Sequence, residues 1–574
     1  MNGGVHIARV LARHGVQHVF TLCGGHISPI LTEAKKVGIQ IIDVRDEKNA
    51  VFAADAVARM TGVPGVAAVT AGPGVTNTLT ALYNAFMAET PLLLLGGGAA
   101  TVLKGRGSLQ DIDQLPIVRP MVKEAARVTK VKDLGPTLDR LLKVAMEGRR
   151  GPVFCEVPVD VLYDESIVRD WYEKEAGGGK GVVGNAVNLY LKQHLYRQFR
   201  GSDQLHEGPV PRPDVMEPSA ADVRKVAEML KKAKQPVLVA GSEVLAIPQD
   251  ADAIADAIRK AGVPTYLGGM ARGLLGAASP IQLRHARGKA LREADCVIVA
   301  GFPLDFRMGY GQKINRKADL VVINRDPDWL RRNRRPTLAV HADPGRFLQA
   351  LAQETPDPAA WSGWLEALRS RDDARDEEIA QKAKDDIGYI NPLALATEIE
   401  KRLADDSVLV VDGGDFVASC SYIVKPRRPL SWLDPGVFGT LGVGGGFALG
   451  AALVRPNAEV WLIYGDGASA FSLAEIDSFV RHGCKVIAVI GTDASWGQIA
   501  RDQTKILGDD VGTVLRRTDY QIVGEGYGGR GFLLTDPKKM GKVLDQAREA
   551  AKEGPVVINA WLGVSDFREG SLSM

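Results

Sequence analysis

Cysteine is scarce and scattered. The five cysteines, Cys23, Cys155, Cys296, Cys420 and Cys484, lie far apart in 574 residues and form no CxxC pair. That excludes a zinc ribbon and a disulfide framework, and it fits a reducing, cytoplasmic compartment. Long apolar runs are also missing. None reaches the roughly 18 residues of a membrane-spanning helix, so no membrane partner is expected. The opening MNGGVHIARVLARHGV lacks the apolar core of a signal peptide. Charge of one sign is absent too: 71 basic against 69 acidic residues leave +2. No global field then draws the chain to nucleic acid or to an acidic membrane. Aromatic residues are few, at 6%, whereas glycine is plentiful at 63 residues. That balance suits α/β layers joined by many tight strand-to-helix turns better than a β-sandwich.

At about 150 residues per domain, this length implies three or four domains. Short apolar runs at 19–22, 39–44, 66–70, 92–95 and 153–157 read as buried strands, separated by segments of helical spacing. This is the pattern of a parallel sheet covered on both faces. It returns at 237–240, 296–300 and 320–323, and again at 408–411, 460–464, 486–490 and 556–560. The fold class is therefore α/β, with three doubly wound parallel-sheet domains. They are expected at 1–165, 218–350 and 391–562, with a linker or partly helical excursion at 166–217, a helical connector at 351–390 and a polar tail at 563–574.

The strongest chemical signal is Gly465-Asp466-Gly467, directly after the apolar run 460–464 and before Ala468-Ser469 and a helix expected from Leu473. A glycine-rich turn into a helix leaves backbone N–H groups free for a phosphate. An Asp in the turn can hold a divalent cation that bridges two phosphates. Asp493 follows 27 residues later, at the end of the next strand. Sequential parallel strands place both carboxylates at one sheet edge, where ligands bind, and oxygen-only ligands favour Mg²⁺ over zinc.

This spacing resembles the diphosphate-binding motif of thiamine-diphosphate enzymes of the acetolactate synthase and pyruvate decarboxylase type. Those usually end the motif in Asn-Asn, where this chain has Thr492-Asp493. The resemblance implies metal ligation by Asp466, Asp493 and the backbone carbonyl of Ser495. It adds Gly414, Gly439 and Leu441, with Gly465, Gly467, Ala468 and Ser469, to the cofactor contacts. In Gly439-Thr440-Leu441-Gly442-Val443-Gly444, Leu441 fills the place of the apolar wedge that bends the cofactor. Glu47 stands where the family has the glutamate that hydrogen-bonds N1′ of the pyrimidine. Relaying a proton to a ring nitrogen needs a carboxyl with a tuned pKa; read alone, Glu47 is a solvated first-turn glutamate. Ala71-Gly72-Pro73-Gly74-Val75-Thr76-Asn77 matches the family's GPGxxN turn, and Gln110 a glutamine facing the reacting carbon. The three domains thereby become pyrimidine-binding, central and diphosphate-binding. The family builds its site from two subunits, which implies a homodimer at minimum, with a homotetramer expected.

Cys23-Gly24-Gly25-His26, Leu109-Gln110-Asp111, Asp305-Phe306-Arg307, the stretch from Gly491 to Trp496 and Ser565-Asp566-Phe567-Arg568 resemble the acetolactate-synthase-like branch of 2-hydroxyacyl-CoA lyases. That implies cleavage of a coenzyme A thioester to an aldehyde or ketone and formyl-CoA, or the reverse condensation. Arginine forks suit the phosphates of coenzyme A. Arg287, Arg307 and Asn324 are candidates in the central domain, and Arg568 and Ser571 in the tail. The cluster Arg331, Arg332, Arg334 and Arg335 reads as a solvated face. His26 is a candidate for proton exchange with the substrate, and Trp496 for shaping the acyl pocket. The alternatives are acetolactate synthase or another 2-oxoacid enzyme with FAD in its middle domain, and a non-catalytic binding protein on this fold. A NAD dehydrogenase lacks the required glycine spacing after a strand.

Overall fold

The computed structural model describes residues 1–175 and 181–568. The chain forms two compact units, residues 1–58 with 63–214, and residues 59–62 with 215–574. Among the described residues no helix is long and apolar enough to cross a membrane.

The first unit is built on one six-stranded parallel sheet. Its strands run, edge to edge, Gln40–Asp43, His18–Leu22, Gly65–Val69, Leu92–Gly98, Pro152–Pro158 and Glu124–Arg127. The inner strands are buried on both faces, as their unbroken apolar sequences require; all seven residues of Leu92–Gly98 are buried. Asn2 caps the helix Gly3–Arg13 by accepting from the Val5 N–H, which fixes the start of the layer that covers one face. The stretch 166–217, expected as linker or partly helical, carries the helices Glu165–Glu175 and Gly181–Phe199. Gly177-Gly178-Gly179, which suggested a linker, lies outside the described residues.

The second unit holds two more six-stranded parallel sheets. One runs Leu338–His341, Asp319–Asn324, Cys296–Ala300, Pro236–Ala240, Thr265–Leu267 and Gln282–Leu283. The other runs Trp432–Leu433, Val408–Val411, Val460–Gly465, Val486–Thr492, Val556–Trp561 and Arg530–Leu534. The charged helix Ser362–Lys382 joins them.

Strand order fixes where chemistry can sit. In the first sheet the chain reverses its direction of growth between His18–Leu22 and Gly65–Val69, and in the third between Val408–Val411 and Val460–Gly465. Ligands of doubly wound sheets lie outside the carboxyl ends of the strands at such switch points. The residues just beyond those four ends are Cys23 to His26, Thr70 to Gly74, Asp412 to Gly414, and Asp466-Gly467.

Candidate active site

In the first unit three glycine-bearing motifs converge on Thr70, a residue the motif reading passed over. Thr70 is 9% exposed. A Cβ on Gly24 would lie 2.5 Å from the Thr70 Cβ, and one on Gly74 would lie 2.8 Å from its methyl group. Both turns are glycine because Thr70 occupies the space a side chain would need. Thr70 Oγ1 donates to Gln110 Oε1 at 3.2 Å and lies 3.2 Å from His26 Nδ1. The structure thus joins His26 and Gln110 through one hydroxyl. Gln110 has φ +60°, a left-handed conformation uncommon for a non-glycine residue and frequent at functional sites. Gly72, at φ +60°, packs against the Gln110 backbone, where a Cβ would meet its carbonyl oxygen at 2.5 Å. Burial lowers the pKa of His26 by disfavouring its cation.

Glu47 opens the helix Glu47–Thr61 and is 8% exposed. Asn77 Nδ2 donates to its Oε2 at 3.1 Å, so the last residue of the Gly-Pro-Gly turn orients the glutamate.

In the second unit Gly414, at φ +129°, lies against Gly465, whose Cα would be 3.0 Å from a Cβ on Gly414. Asp412, also passed over in the motif reading, is 2% exposed. Its carboxylate accepts from the N–H groups of Gly413, Gly442 and Gly444 at 2.6, 3.0 and 2.8 Å. It pins the turn carrying Gly439, Leu441 and Gly442, the two glycines at φ +66° and +91°. The Leu441 side chain reaches Gly413, where a Cβ would lie 1.9 Å from its Cδ2. Burial pushes the Asp412 carboxyl up to about 6.

Strand register pairs Gly465 with Gly491, which sets Asp466 and Asp493 beside each other just beyond the strand ends. Asp466 accepts from Gly467 N and Ala494 N, each at 2.8 Å, and Ser469 Oγ donates to its backbone carbonyl at 2.8 Å. Ala468 and Ser469 are buried in the same short helix, Asp466–Ser469. The helix expected from Leu473 begins at Glu475. Asp493 Oδ1 accepts from Ser495 N at 3.0 Å. Burial pushes Asp466 up to about 6, and burial together with the Asp466 charge pushes Asp493 up to about 7. Arg517 opposes both shifts, but its guanidinium donates to the carbonyls of Thr492 and Leu562. The buried Asp466 and the half-buried Asp493, whose charges repel each other, are oxygen donors of the kind that suits a hard divalent cation. Trp496 lies on the Asp466 turn, its ring 2.5 Å from where a Gly467 Cβ would be.

A cavity of about 800 Å³ in the same unit is lined by Arg284, Arg287, Arg307 and Arg568. Arg272, Lys313 and Arg375 also line it, and among the described residues no lining residue is acidic. Arg272 and Arg284 donate to the carbonyls of Ser421 and Val424 at 2.8 and 2.6 Å. Arg287 donates to the Arg307 carbonyl at 2.6 Å, and Arg307 pairs with Asp305 at 2.6 Å. Burial pulls Arg284 down to about 10. Arg568 lies over the Tyr422 ring, 5.7 Å from its centroid. Asn324 does not join this group. It is 1% exposed and occupied within its own fold, donating to Glu243 Oε1 at 2.8 Å and accepting from Asp326 N at 2.7 Å. Ser571 lies outside the described residues. Arg272 and Arg375 were missed because an isolated arginine in sequence carries no sign of burial.

Three thiamine pyrophosphate enzyme family models match the chain: the N-terminal TPP binding domain at residues 1–117, the central domain at 223–351 and the C-terminal TPP binding domain at 412–560. A 2-hydroxyacyl-CoA lyase 2 of Danio rerio is 46% identical over 100% of this chain and 93% of its own length. That of Homo sapiens is 45% identical over 100% and 92%. An acetolactate synthase large subunit of Mycobacterium tuberculosis is 34% identical over 97% and 95%. The pinned glycine turn, the paired carboxylates and the three matched domains agree, and the chain belongs to the thiamine pyrophosphate enzymes.

Proposed function

We propose that the protein is a thiamine-diphosphate-dependent lyase that cleaves a 2-hydroxyacyl-CoA to an aldehyde or ketone and formyl-CoA, and that joins them in reverse. The observation that carries this reading is similarity along the whole chain to proteins named 2-hydroxyacyl-CoA lyase 2, at 44–46% identity, against 34% for acetolactate synthases. The cation-lined cavity supports it, because coenzyme A brings several phosphate charges to be matched. Asp466, Asp493 and the Ser495 carbonyl would hold Mg²⁺ against the diphosphate. Gly414, Gly439, Gly465, Gly467, Ala468 and Ser469 would line the cofactor, with Leu441 as the apolar support beneath it. A homodimer is the minimum assembly, and the compartment is cytoplasmic.

Thiamine diphosphate, when bound, supplies the nucleophilic carbon and the electron sink for carbon–carbon cleavage. The chain supplies proton handling and orientation. Glu47 Oε1, held by Asn77 through the other oxygen, would keep a proton at N1′ of the pyrimidine. Cleavage also requires a proton to leave the substrate 2-hydroxyl as the carbonyl product forms, and another to reach the carbon that leaves in formyl-CoA. His26 Nε2 is the group assigned to take the hydroxyl proton and return one to that carbon, while the Gln110 amide, which cannot transfer a proton, is assigned to donate a hydrogen bond to the neighbouring carbonyl oxygen. Arg287, Arg307 and Arg568 would hold coenzyme A phosphates.

The test is a product assay with thiamine diphosphate, Mg²⁺ and a panel of 2-hydroxyacyl-CoA thioesters, with pyruvate in parallel. Formyl-CoA with the matching aldehyde is the expected result. Acetolactate from pyruvate without formyl-CoA would overturn the lyase reading. In the same assay Arg287→Ala is expected to raise KM for the thioester about 10- to 100-fold with kcat little changed. That is the loss of one charge-assisted contact made equally in ground and transition states.

A further inference from the structure

We propose that Thr70 is a positioning residue that sets the tautomer of His26 and the direction of the Gln110 amide. A threonine hydroxyl has one proton to give. In this structure that proton goes to Gln110 Oε1. The contact at 3.2 Å between Thr70 Oγ1 and His26 Nδ1 can then be a hydrogen bond only if Nδ1 carries the ring proton and donates. Nε2 is left as the basic nitrogen. Gln110 keeps its NH₂ group free to donate. The opposite arrangement requires two coordinated changes. Gln110 would have to flip, donating to Thr70, and Thr70 would then donate to Nδ1, moving the ring proton to Nε2. The hydroxyl therefore links an acceptor at His26 to a donor at Gln110, which is the pair a substrate hydroxyl and its neighbouring carbonyl oxygen require.

The setting of Thr70 argues that this geometry is held. Its side chain is enclosed by Gly24 and Gly74, so it cannot rotate without displacing backbone. Gln110 is held at φ +60°. Gln114 fixes the intervening turn, accepting from Gly72 N and donating to the Gly97 carbonyl, each at 2.9 Å. An orienting partner of this kind selects which ring nitrogen does the chemistry.

The proposal rests on the lyase reading for what His26 does, but not for which nitrogen carries its proton. The experiment uses full-length protein with thiamine diphosphate and Mg²⁺, labelled with ¹⁵N-histidine, with the His26 signals assigned by their loss in His26→Gln. Long-range ¹H–¹⁵N correlation is expected to show Nδ1 protonated in the neutral ring. Thr70→Val is expected to shift the ring toward Nε2–H and to lower kcat about tenfold or more while KM changes less than about twofold. Thr70→Ser should restore both, and Thr70→Ala replaces the valine variant if that one does not fold. An unchanged tautomer in Thr70→Val, or a switched tautomer with unchanged kcat, overturns the proposal. Wild-type protein that makes no formyl-CoA but shows the tautomer switch would instead sink the lyase reading and leave the tautomer assignment standing.

Discussion

Glu47→Gln is expected to slow cleavage of 2-hydroxyacyl-CoA by about 10²- to 10⁴-fold, the usual contribution of a positioned acid–base group, while thiamine diphosphate still binds. Glutamine keeps the length of the side chain and an oxygen that can accept from Asn77 Nδ2, now 3.1 Å from Glu47 Oε2. The other terminus becomes an NH₂ group, which cannot take or return a proton at a ring nitrogen. Binding and proton transfer should therefore separate, with formyl-CoA formation collapsing and cofactor affinity by calorimetry within a few-fold of wild type. Asn77→Ala should fall between them, because it frees the carboxylate without removing it. A Glu47→Gln protein that keeps more than about a tenth of the wild-type rate would return Glu47 to the role of a first-turn helix residue.

The central strands were legible because burial on both faces writes itself as an unbroken apolar run. Leu92–Gly98, Cys296–Ala300, Val460–Gly465 and Val486–Thr492 are of this kind. The strands that gave no clear signal are mostly at sheet edges: Glu124–Arg127, Gln282–Leu283, Leu338–His341, Trp432–Leu433 and Arg530–Leu534. An edge strand has one paired side and needs less apolar sequence, so half-exposed EAAR or RGFLL does not stand out. Motifs defined by glycine spacing brought out the turns but not the residues on which the turns rest. Thr70 and Asp412 have no motif of their own. Each follows a buried strand, and its importance is set largely by groups that come from segments tens of residues away, Gly24 and Gln110 for Thr70 and Gly442 and Gly444 for Asp412. Asn324 shows the converse error. A polar residue at a strand end looked available for a ligand, and the fold had already used both ends of its amide.

Asp493 marks the chain's main departure from the Asn-Asn motif it resembles, and its consequence is a stability that depends on metal and pH. In the metal-free protein Asp493 is raised to about 7 and Asp466 to about 6. A carboxyl whose folded pKa lies above the ordinary value of 3.8 binds its proton more tightly folded than unfolded. Its stabilising share is complete below that ordinary value and is lost as pH rises through the folded pKa, at up to about 1.4 kcal/mol per pH unit for each titrating group. Metal-free protein should therefore melt at a higher temperature at pH 5.5 than at pH 7.5. Asp412, raised to about 6, contributes the same sign, so the slope should be shallower but not absent in Asp493→Asn. That substitution keeps an oxygen to accept from Ser495 N and removes the charge that repels Asp466. At pH 7.5 it is expected to raise the metal-free melting temperature by about one to a few degrees, a change of order 1 kcal/mol or more, with the gap closing toward pH 5. Mg²⁺ with thiamine diphosphate should reverse the order. Wild type gains more because two anions face the cation, and Asp493→Asn needs a higher Mg²⁺ concentration for half-saturation. Coincident melting curves for the two proteins across pH 5 to 8, with equal Mg²⁺ requirements, would show that Asp493 takes no part in the cation site and that its charge is compensated elsewhere.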